Sequence, residues 1–188
     1  MDVLKDDFEL IGTDRQAGEG YIQMDITDKK EVDSVIRGKN PDVVLHIAAM
    51  TDVDRCEIDK SAADKINVEG TRNMVEASKR MKAKMVYLST DFVFDGNSGD
   101  YKEEDKKNPL SYYAKTKSDA EEIVKKSGLT YLIIRPAVLY GYNGDGTERS
   151  FVNWAYSSMK EGKQINVVDD QFNTPTLVDD IAKAVGKL

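Results

Sequence analysis

Short apolar runs of strand length alternate along this chain with longer stretches in which apolar residues recur at helical spacing. The short runs are rich in β-branched residues and apolar on both faces, which is typical of strands buried in a parallel sheet with helices on both sides. We therefore predict an α/β fold of the Rossmann-like, doubly wound type. The predicted strands cover residues 8–13, 21–24, 43–48, 85–89 and 131–135.

Helix signals fill the intervals between these strands. A Thr27/Asp28 cap starts a helix that we expect to end near Arg37, because Gly38 and Pro41 follow. Further helices are predicted over 62–81, 111–126, 150–161 and 178–188. The pattern contains no linker, so we expect one NAD(P)-binding domain over residues 1–188.

Composition sets limits on partners and location. A chain of 188 residues is long enough to bury most of its unfolded surface, and its one cysteine, Cys56, cannot form an internal disulfide. The net charge is −7, and no apolar run approaches the roughly 20 residues that cross a bilayer. We therefore expect no nucleic-acid partner, no membrane partner and a cytoplasmic location.

The first predicted strand runs into Asp14 and has no glycine-rich turn before it. In a dinucleotide-binding fold, a strand that ends in such a carboxylate is the second strand, and a central first strand with a glycine loop precedes it. We therefore expect a sheet without its first strand and glycine loop, with unpaired edges in its middle. We therefore expect a domain that is truncated at both ends and lacks most of a small substrate domain. The alternative is that another segment supplies the missing first strand.

Tyr113 and Lys117 lie four residues apart in a predicted helix, so their side chains project from one face. A lysine ammonium beside a phenol lowers the phenol pKa, which would let Tyr113 exchange a proton with a substrate oxygen. Upstream, Ser89, Thr90 and Asp91 follow a predicted strand at its carboxyl end, where ligands bind in parallel sheets. These residues predict Tyr113 as acid, Lys117 as its tuner and Thr90 as the group that orients a carbonyl. Each feature also has a simpler interpretation. Tyr113 and Lys117 can be an exposed pair on a helix, and Ser89 and Thr90 can cap the turn that follows the strand.

A second group of residues predicts nucleotide binding. Asp14 ends a strand where a carboxylate can hold a ribose 2′-hydroxyl, whereas Arg15 beside it can accept a 2′-phosphate, so NADH and NADPH both stay open. Asp25 can accept from the adenine amine or act as a turn acid. Ala48 and Ala49 end another strand with small side chains, which permit either close approach of a cofactor or tight packing.

His46 lies within a buried-strand pattern and is the one histidine of the chain. We interpret it as a packed residue with one hydrogen bond, and we expect no metal site. Trp154 and Tyr156 are expected in the core or at a domain contact.

Five motifs occur in the order seen in the dTDP-4-dehydrorhamnose reductases, which are extended short-chain dehydrogenases/reductases. The chain resembles this family over nearly its whole length. The motifs are Ala48-Ala49-Met50-Thr51, Asn67-Val68-Glu69-Gly70-Thr71, Ser89-Thr90-Asp91-Phe92-Val93-Phe94-Asp95-Gly96, Tyr113-Ala114-Lys115-Thr116-Lys117 and Asp169-Asp170-Gln171-Phe172-Asn173-Thr174-Pro175-Thr176.

The resemblance implies hydride transfer from NADPH or NADH to the C4 ketone of a dTDP-linked 6-deoxy sugar, in rhamnose supply. It implies Thr90, Tyr113 and Lys117 as the catalytic set, a nucleotide-sugar substrate and a homodimer. The expected substrate contacts are Thr90, Asp91, Phe92 and Val138. The expected cofactor contacts are Asp14, Arg15, Asp25, Ile26, Ala48, Ala49, Met50, Ser89, Tyr113, Lys117 and Pro136.

The chain also departs from the family pattern. The Gly-x-x-Gly-x-x-Gly loop is missing, Phe92 stands where the family often has Tyr, and Arg135-Pro136-Ala137-Val138 replaces the usual Arg-Thr-Ser-Trp. Two other functions therefore stay open. One is a nucleotide-sugar epimerase or dehydratase, with Asp91 as an acid. The other is a non-catalytic regulatory subunit similar to the methionine adenosyltransferase β subunit.

Overall fold

The computed structural model describes residues 3–141 and 150–187. These residues fall into two compact units, which we describe separately. The larger unit comprises residues 11–135, and the smaller comprises residues 3–10, 136–141 and 150–187. Among the helices of these ranges, none has the length and apolar character to cross a membrane.

The larger unit alternates strands with helices, as the sequence pattern predicts. Its strands are β1 Gly12–Asp14, β2 Tyr21–Gln23, β3 Val43–His46, β4 Lys84–Leu88 and β5 Tyr131–Ile134. Its helices are α1 Lys29–Lys39, α2 Val53–Ile58, α3 Lys60–Ala63, a π-helical turn Asp64–Glu69, α4 Gly70–Met81, a 3₁₀ turn Asp91–Val93 and α5 Tyr112–Lys125. The prediction of an α/β fold is confirmed.

All strand pairs of this unit are parallel. β1 pairs with β2, while β3, β4 and β5 form a second sheet with β4 in its centre. The two sheets share one hydrophobic core. Its residues come from the segment that follows β2, from the strands β3 and β4, and from the helices α1, α4 and α5. Its members include Met24, Ile26, Val32, Ile36, Val44, Met74, Met85, Tyr87 and Val124.

Two strand edges lie open within the larger unit. Among the described residues, β1 pairs only with β2 and β3 pairs only with β4. Large apolar side chains lie exposed on and just after β3, where Val43, Leu45 and Ile47 keep 44%, 43% and 60% of their surface in contact with solvent. The β3 edge therefore presents apolar side chains without a pairing strand among the described residues, and the expected missing strand stays a prediction.

Two predicted boundaries are wrong. β1 begins at Gly12 and not at Phe8, because its pairing with β2 is three residues long and the Leu4 carbonyl accepts the Phe8 N–H in a turn. α1 passes the predicted end at Arg37 and stops where Asn40 adopts a left-handed φ of 44° and donates its N–H to the Ile36 carbonyl. Asparagine tolerates this conformation because its short polar side chain bonds locally.

The long helix predicted over residues 62–81 is interrupted by a π-helical turn. Asn67 in this turn is buried, and its side chain accepts a hydrogen bond from the Met50 N–H at 2.7 Å. π-helical turns frequently occur at functional sites. Because the contact joins residues 17 positions apart, local periodicity cannot predict it. The sequence pattern also missed α2.

The smaller unit contains a short parallel pair of strands and two helices. The elements are β6 Leu139–Tyr140, α6 Phe151–Lys160, β7 Thr176–Leu177 and α7 Val178–Val185. Ser150 caps α6 by accepting from the Asn153 N–H. β6 and β7 were not predicted, since two residues carry no detectable alternation.

Gly70 permits close contact between the start of α4 and the residues after β2. A Cβ atom at Gly70 would lie 2.7 Å from Cδ1 and 2.9 Å from Cγ1 of Ile26. We expect Gly70→Ala to lower the free energy of unfolding by about 1–2 kcal/mol, because overpacking exceeds the gain in helix propensity. The measurement is urea unfolding.

Gly38→Ala is the matched control. Gly38 also lies in a helix, but a Cβ atom there meets nothing within 4 Å, so this variant should gain up to about 1 kcal/mol. Equal stability of the two variants would contradict the account of Gly70.

Candidate functional site

The carboxyl end of β4 delivers the first group of predicted site residues. The Ser89 N–H donates to the Ile134 carbonyl at 2.7 Å, which continues the sheet past the last residue of β4. Thr90 is buried and extended, and its hydroxyl caps the following 3₁₀ turn by accepting from the Phe92 N–H at 3.2 Å. This cap turns the chain, so Asp91 and Phe92 leave the sheet at its ligand-binding edge.

Helix α5 supplies Tyr113 and Lys117. Ser111 caps its start by accepting from the Ala114 N–H at 3.2 Å. Tyr113 is half-buried, and Lys117 keeps only 2% of its surface exposed. The four-residue spacing therefore directs both residues toward the body of the unit.

Tyr113 lies beside the residues that follow β4. Burial raises the pKa of Tyr113, the polar Thr90 hydroxyl acts in the opposite direction, and the Asp91 carboxylate adds to the rise. The Phe92 ring meets the Tyr113 ring edge-on, with 6.4 Å between their centroids. The structure thus brings together Thr90, Asp91, Phe92 and Tyr113.

Asp91 is half-buried, and burial raises the pKa of its carboxyl group. The Thr90 hydroxyl donates to Asp91 Oδ1 at 3.3 Å and partly offsets this rise. A carboxyl group with a raised pKa next to a phenol is a candidate for a second proton carrier at the same site.

Lys117 holds α5 against the end of β4. Its ammonium donates to the Leu88 carbonyl at 2.7 Å and lies 4.4 Å from the centroid of the Tyr87 ring. Burial lowers the pKa of Lys117 to about 8, although the charge of Glu121 acts in the opposite direction.

The prediction that Lys117 lowers the pKa of Tyr113 is wrong for this structure. The pKa of Tyr113 is raised, and burial is the largest cause. The Lys117 ammonium is instead bound to the Leu88 carbonyl. Desolvation of the phenol, which spacing along a helix cannot reveal, decides the direction.

Two acidic residues are predicted to hold a nucleotide. Asp14 is the last residue of β1, and Asp25 follows β2. Asp14 is exposed, and its Oδ1 accepts from the Gln16 N–H at 2.8 Å. Asp25 accepts from the Thr27 N–H at 2.8 Å, and this hydrogen bond, with help from the Arg15 charge, lowers the pKa of Asp25. Asp25 therefore stabilises its own turn, and its contact with an adenine amine stays a prediction. Ile26 is buried in the core.

The residues after β3 present small side chains. Ala48 is exposed and Ala49 is half-buried, whereas Met50 is buried. The Asn67 side chain accepts from the Met50 N–H at 2.7 Å and donates to the Met50 carbonyl at 3.1 Å. It also donates to the Thr116 hydroxyl at 2.9 Å, which ties this segment to α5.

Two predicted contacts lie in the smaller unit. Pro136 is buried there, and the Val138 carbonyl accepts from the Thr176 N–H at 2.9 Å between the strands β6 and β7. The remaining predicted site residues belong to the larger unit.

Glu121 and Arg135 have no role in the sequence prediction, yet they adjoin the site. Glu121 is fully buried, and its carboxylate accepts from Ser89 Oγ at 2.7 Å and from Arg135 Nε at 2.7 Å. One sequence signal marks Glu121, since it follows Lys117 by one helical turn and so shares its buried face. Arg135 follows β5 and carries no comparable signal.

The interpretation of His46 as a packed residue is confirmed. His46 is 2% exposed, and its Nε2 lies 3.0 Å from the Thr71 hydroxyl. Burial lowers the pKa of His46 to about 3, so the ring stays neutral near neutral pH.

The chain is similar to proteins of one family. The family model described as RmlD substrate binding domain matches residues 2–188. The dTDP-4-dehydrorhamnose reductase of Aggregatibacter actinomycetemcomitans is 35% identical over 166 residues, which is 88% of this chain and 55% of that protein. Methionine adenosyltransferase 2 subunit beta of Bos taurus is 33% identical over 175 residues, which is 93% of this chain and 52% of that protein. The chain thus spans about half the length of the curated relatives it matches.

A solved structure shares the fold. The dTDP-4-dehydrorhamnose reductase of Bacillus anthracis, in complex with NADP, superposes with a TM-score of 0.82 at 35% identity and covers 89% of this chain and 59% of that one. The prediction of a Rossmann-like fold is confirmed.

Burial of Lys117 predicts a pH dependence of stability. Its pKa is about 8 in the folded protein, against about 10.4 in an unfolded chain. At pH values between these two pKa values, Lys117 binds a proton more often in the unfolded chain than in the folded protein. The free energy of unfolding therefore rises with pH, by roughly 3 kcal/mol over the whole titration of Lys117. In urea unfolding, wild-type protein should gain most of this amount relative to Lys117→Met from pH 8 to pH 10.5.

The control for this titration is Lys115→Met. Lys115 lies on the same helix, but its hydrogen bond with Asp119 raises its pKa. The wild type should therefore show no gain over Lys115→Met in this window. Parallel stability curves for wild-type protein and Lys117→Met would show that Lys117 titrates as an exposed lysine.

Proposed function

Because this chain belongs to the RmlD substrate binding domain family, we propose that the whole protein catalyses NAD(P)-dependent reduction of the C4 ketone of a dTDP-linked 6-deoxy sugar. The observation that carries this proposal is that Tyr113 lies against Phe92, whose N–H Thr90 caps at the carboxyl end of β4, while the buried Lys117 binds the Leu88 carbonyl. The reductases at 35% identity support it. A cytoplasmic location and a homodimer belong to the same proposal and rest on family resemblance.

The residues at the strand ends fit a nicotinamide nucleotide. The exposed Asp14 carboxylate would hold a ribose, and the exposed Ala48 would let the nucleotide approach the backbone. Arg15 beside Asp14, together with the NADP complex of the Bacillus anthracis relative, supports NADPH ahead of NADH. When bound, the reduced nicotinamide supplies the hydride.

Proton transfer falls to the side chains of this chain. The Tyr113 phenol is protonated at neutral pH, since the ordinary pKa of tyrosine is about 10 and burial raises that of Tyr113. Tyr113 therefore donates its proton to the ketone oxygen as that oxygen gains negative charge. The Thr90 hydroxyl orients the same oxygen. The Lys117 ammonium fixes α5 against β4, so that the phenol and the hydroxyl keep their spacing. The exposed Phe92 ring beside Tyr113 would contact the sugar.

We also propose that a further parallel strand occupies the open edges of β1 and β3. Each edge lacks a partner in the described residues, and Val43 and Leu45 are exposed there although their side chains suit a buried strand. The sequence contains no Gly-x-x-Gly-x-x-Gly loop. A glycine turn after the added strand would direct backbone N–H groups at the nucleotide pyrophosphate.

Two observations favour other functions. The raised pKa of Asp91 beside Thr90 supports a dehydratase or epimerase, in which the nucleotide is reduced and reoxidised. The similarity to methionine adenosyltransferase 2 subunit beta supports a non-catalytic subunit. Net consumption of NADPH with a keto sugar distinguishes the reductase from both.

Tyr113→Phe tests the proposed acid. In steady-state assays of the whole protein with NADPH and a dTDP-4-keto-6-deoxy sugar, we expect kcat to fall on the order of 10²- to 10⁴-fold, because general acid catalysis is lost. The KM for NADPH should stay unchanged.

Tyr112→Phe is the matched control. Its hydroxyl donates to Asp64 Oδ2 at 2.7 Å and so serves another contact. This variant should retain the wild-type kcat. Full activity of Tyr113→Phe would show that the proton comes from a different group.

A further inference from the structure

The Glu121 carboxylate is the most highly coordinated charge among the described residues of the site. Its Oε1 accepts from Arg135 Nε at 2.7 Å and from Ser89 Oγ at 2.7 Å. Its Oε2 accepts from a second Arg135 nitrogen at 2.8 Å and from Lys107 Nζ at 3.1 Å. Burial opposes ionisation of Glu121, but these hydrogen bonds and charges outweigh it and lower its pKa to about 2.

Stability alone does not explain this pair of charges. Burying an ion pair has a desolvation cost that its attraction often only balances, and well-packed apolar residues frequently serve as well or better. Two-pronged binding of a carboxylate by arginine does fix geometry closely, since both partners are planar. The pair of Glu121 and Arg135 is therefore suited to holding segments in register.

The pair joins the parts of the site that must keep their spacing. Glu121 lies one helical turn after Lys117 on α5, and it binds Ser89, the residue before Thr90. Its charge also raises the pKa of Lys117 against the effect of burial. Thr90 on the strand end is thus tied to the helix that carries the phenol.

Arg135 extends this connection to the segment that follows Phe92. Its guanidinium carbon lies 5.2 Å from the centroid of the Phe94 ring, and one of its nitrogens donates to the Glu103 carbonyl at 3.0 Å. The Phe94 ring in turn stacks on Tyr101 with 4.4 Å between centroids. The same guanidinium therefore contacts the helix, through Glu121, and the loop beside the site.

We propose that Glu121 and Arg135 are positioning residues of the reductase, which hold Thr90 and the loop of residues 94–103 in place relative to Tyr113 and Lys117. The inference rests on the proposed function. It adds that the reaction depends on a buried ion pair that touches neither substrate nor cofactor.

Glu121→Gln in the whole protein tests the inference, because it keeps the shape of the side chain and removes its charge. We expect kcat for ketone reduction to fall on the order of 10²-fold, as displaced catalytic groups do, with the KM for NADPH unchanged. The alkaline limb of the kcat profile should also move to lower pH, because Lys117 loses the charge that raises its pKa.

Two further variants separate positioning from folding. Glu122→Gln is the matched control, since Glu122 is the next residue on α5, is 43% exposed and also binds Lys107, and it should leave kcat and the pH profile unchanged. Ser89→Ala removes only the hydroxyl that binds Glu121. It should keep the wild-type midpoint of thermal unfolding to within a few degrees and lower kcat about 10-fold.

The outcomes are distinguishable. A fall in kcat for Glu121→Gln and Ser89→Ala, with the shifted pH profile in Glu121→Gln, supports the positioning role. If the wild-type protein is active and Glu121→Gln loses stability but keeps the wild-type kcat and pH profile, the positioning role is overturned and the proposed function is not. A wild-type protein that reduces no keto sugar overturns the proposed function, and the inference with it.

Discussion

Burial of the Lys117 ammonium between α5 and β4 is the interaction on which the arrangement of the site depends. A buried charge is costly unless it is hydrogen-bonded and compensated. Here the Leu88 carbonyl, the face of the Tyr87 ring and the charge of Glu121 supply that compensation. All of these groups lie on β4 or one turn along α5, so the helix can occupy only one position along the strand. Tyr113 then lies beside Thr90 as a consequence.

The parallel sheet explains why the other candidate groups gather where they do. Parallel strands direct their carboxyl ends to one edge of a sheet, so the residues after β3 and β4 emerge side by side. The contacts of Asn67 and Glu121 then attach these strand ends to α5. The open edge of β3 belongs to the same architecture, since its Val43 and Leu45 have the apolar character of a strand paired on two sides.

Local sequence signals predicted the parts of this structure that depend on local interactions. The alternation of strands and helices, the Asp28 cap and the shared face of Tyr113 and Lys117 follow from spacing and capping chemistry. The ion pair of Glu121 with Arg135 joins residues 14 positions apart, and no short pattern encodes such a contact. The pKa of Tyr113 was predicted in the wrong direction because burial, the largest cause of its shift, is a property of the whole fold.

We propose that the strand ends of this chain form a nicotinamide nucleotide site that a further strand and a glycine loop complete. Calorimetric titration with NADPH tests it, by comparing the 188-residue chain with a version that carries such a strand and loop ahead of it. The account predicts that the extended protein binds NADPH at least about 100-fold more tightly, a difference of roughly 3 kcal/mol. Absence of binding by both proteins would contradict the account.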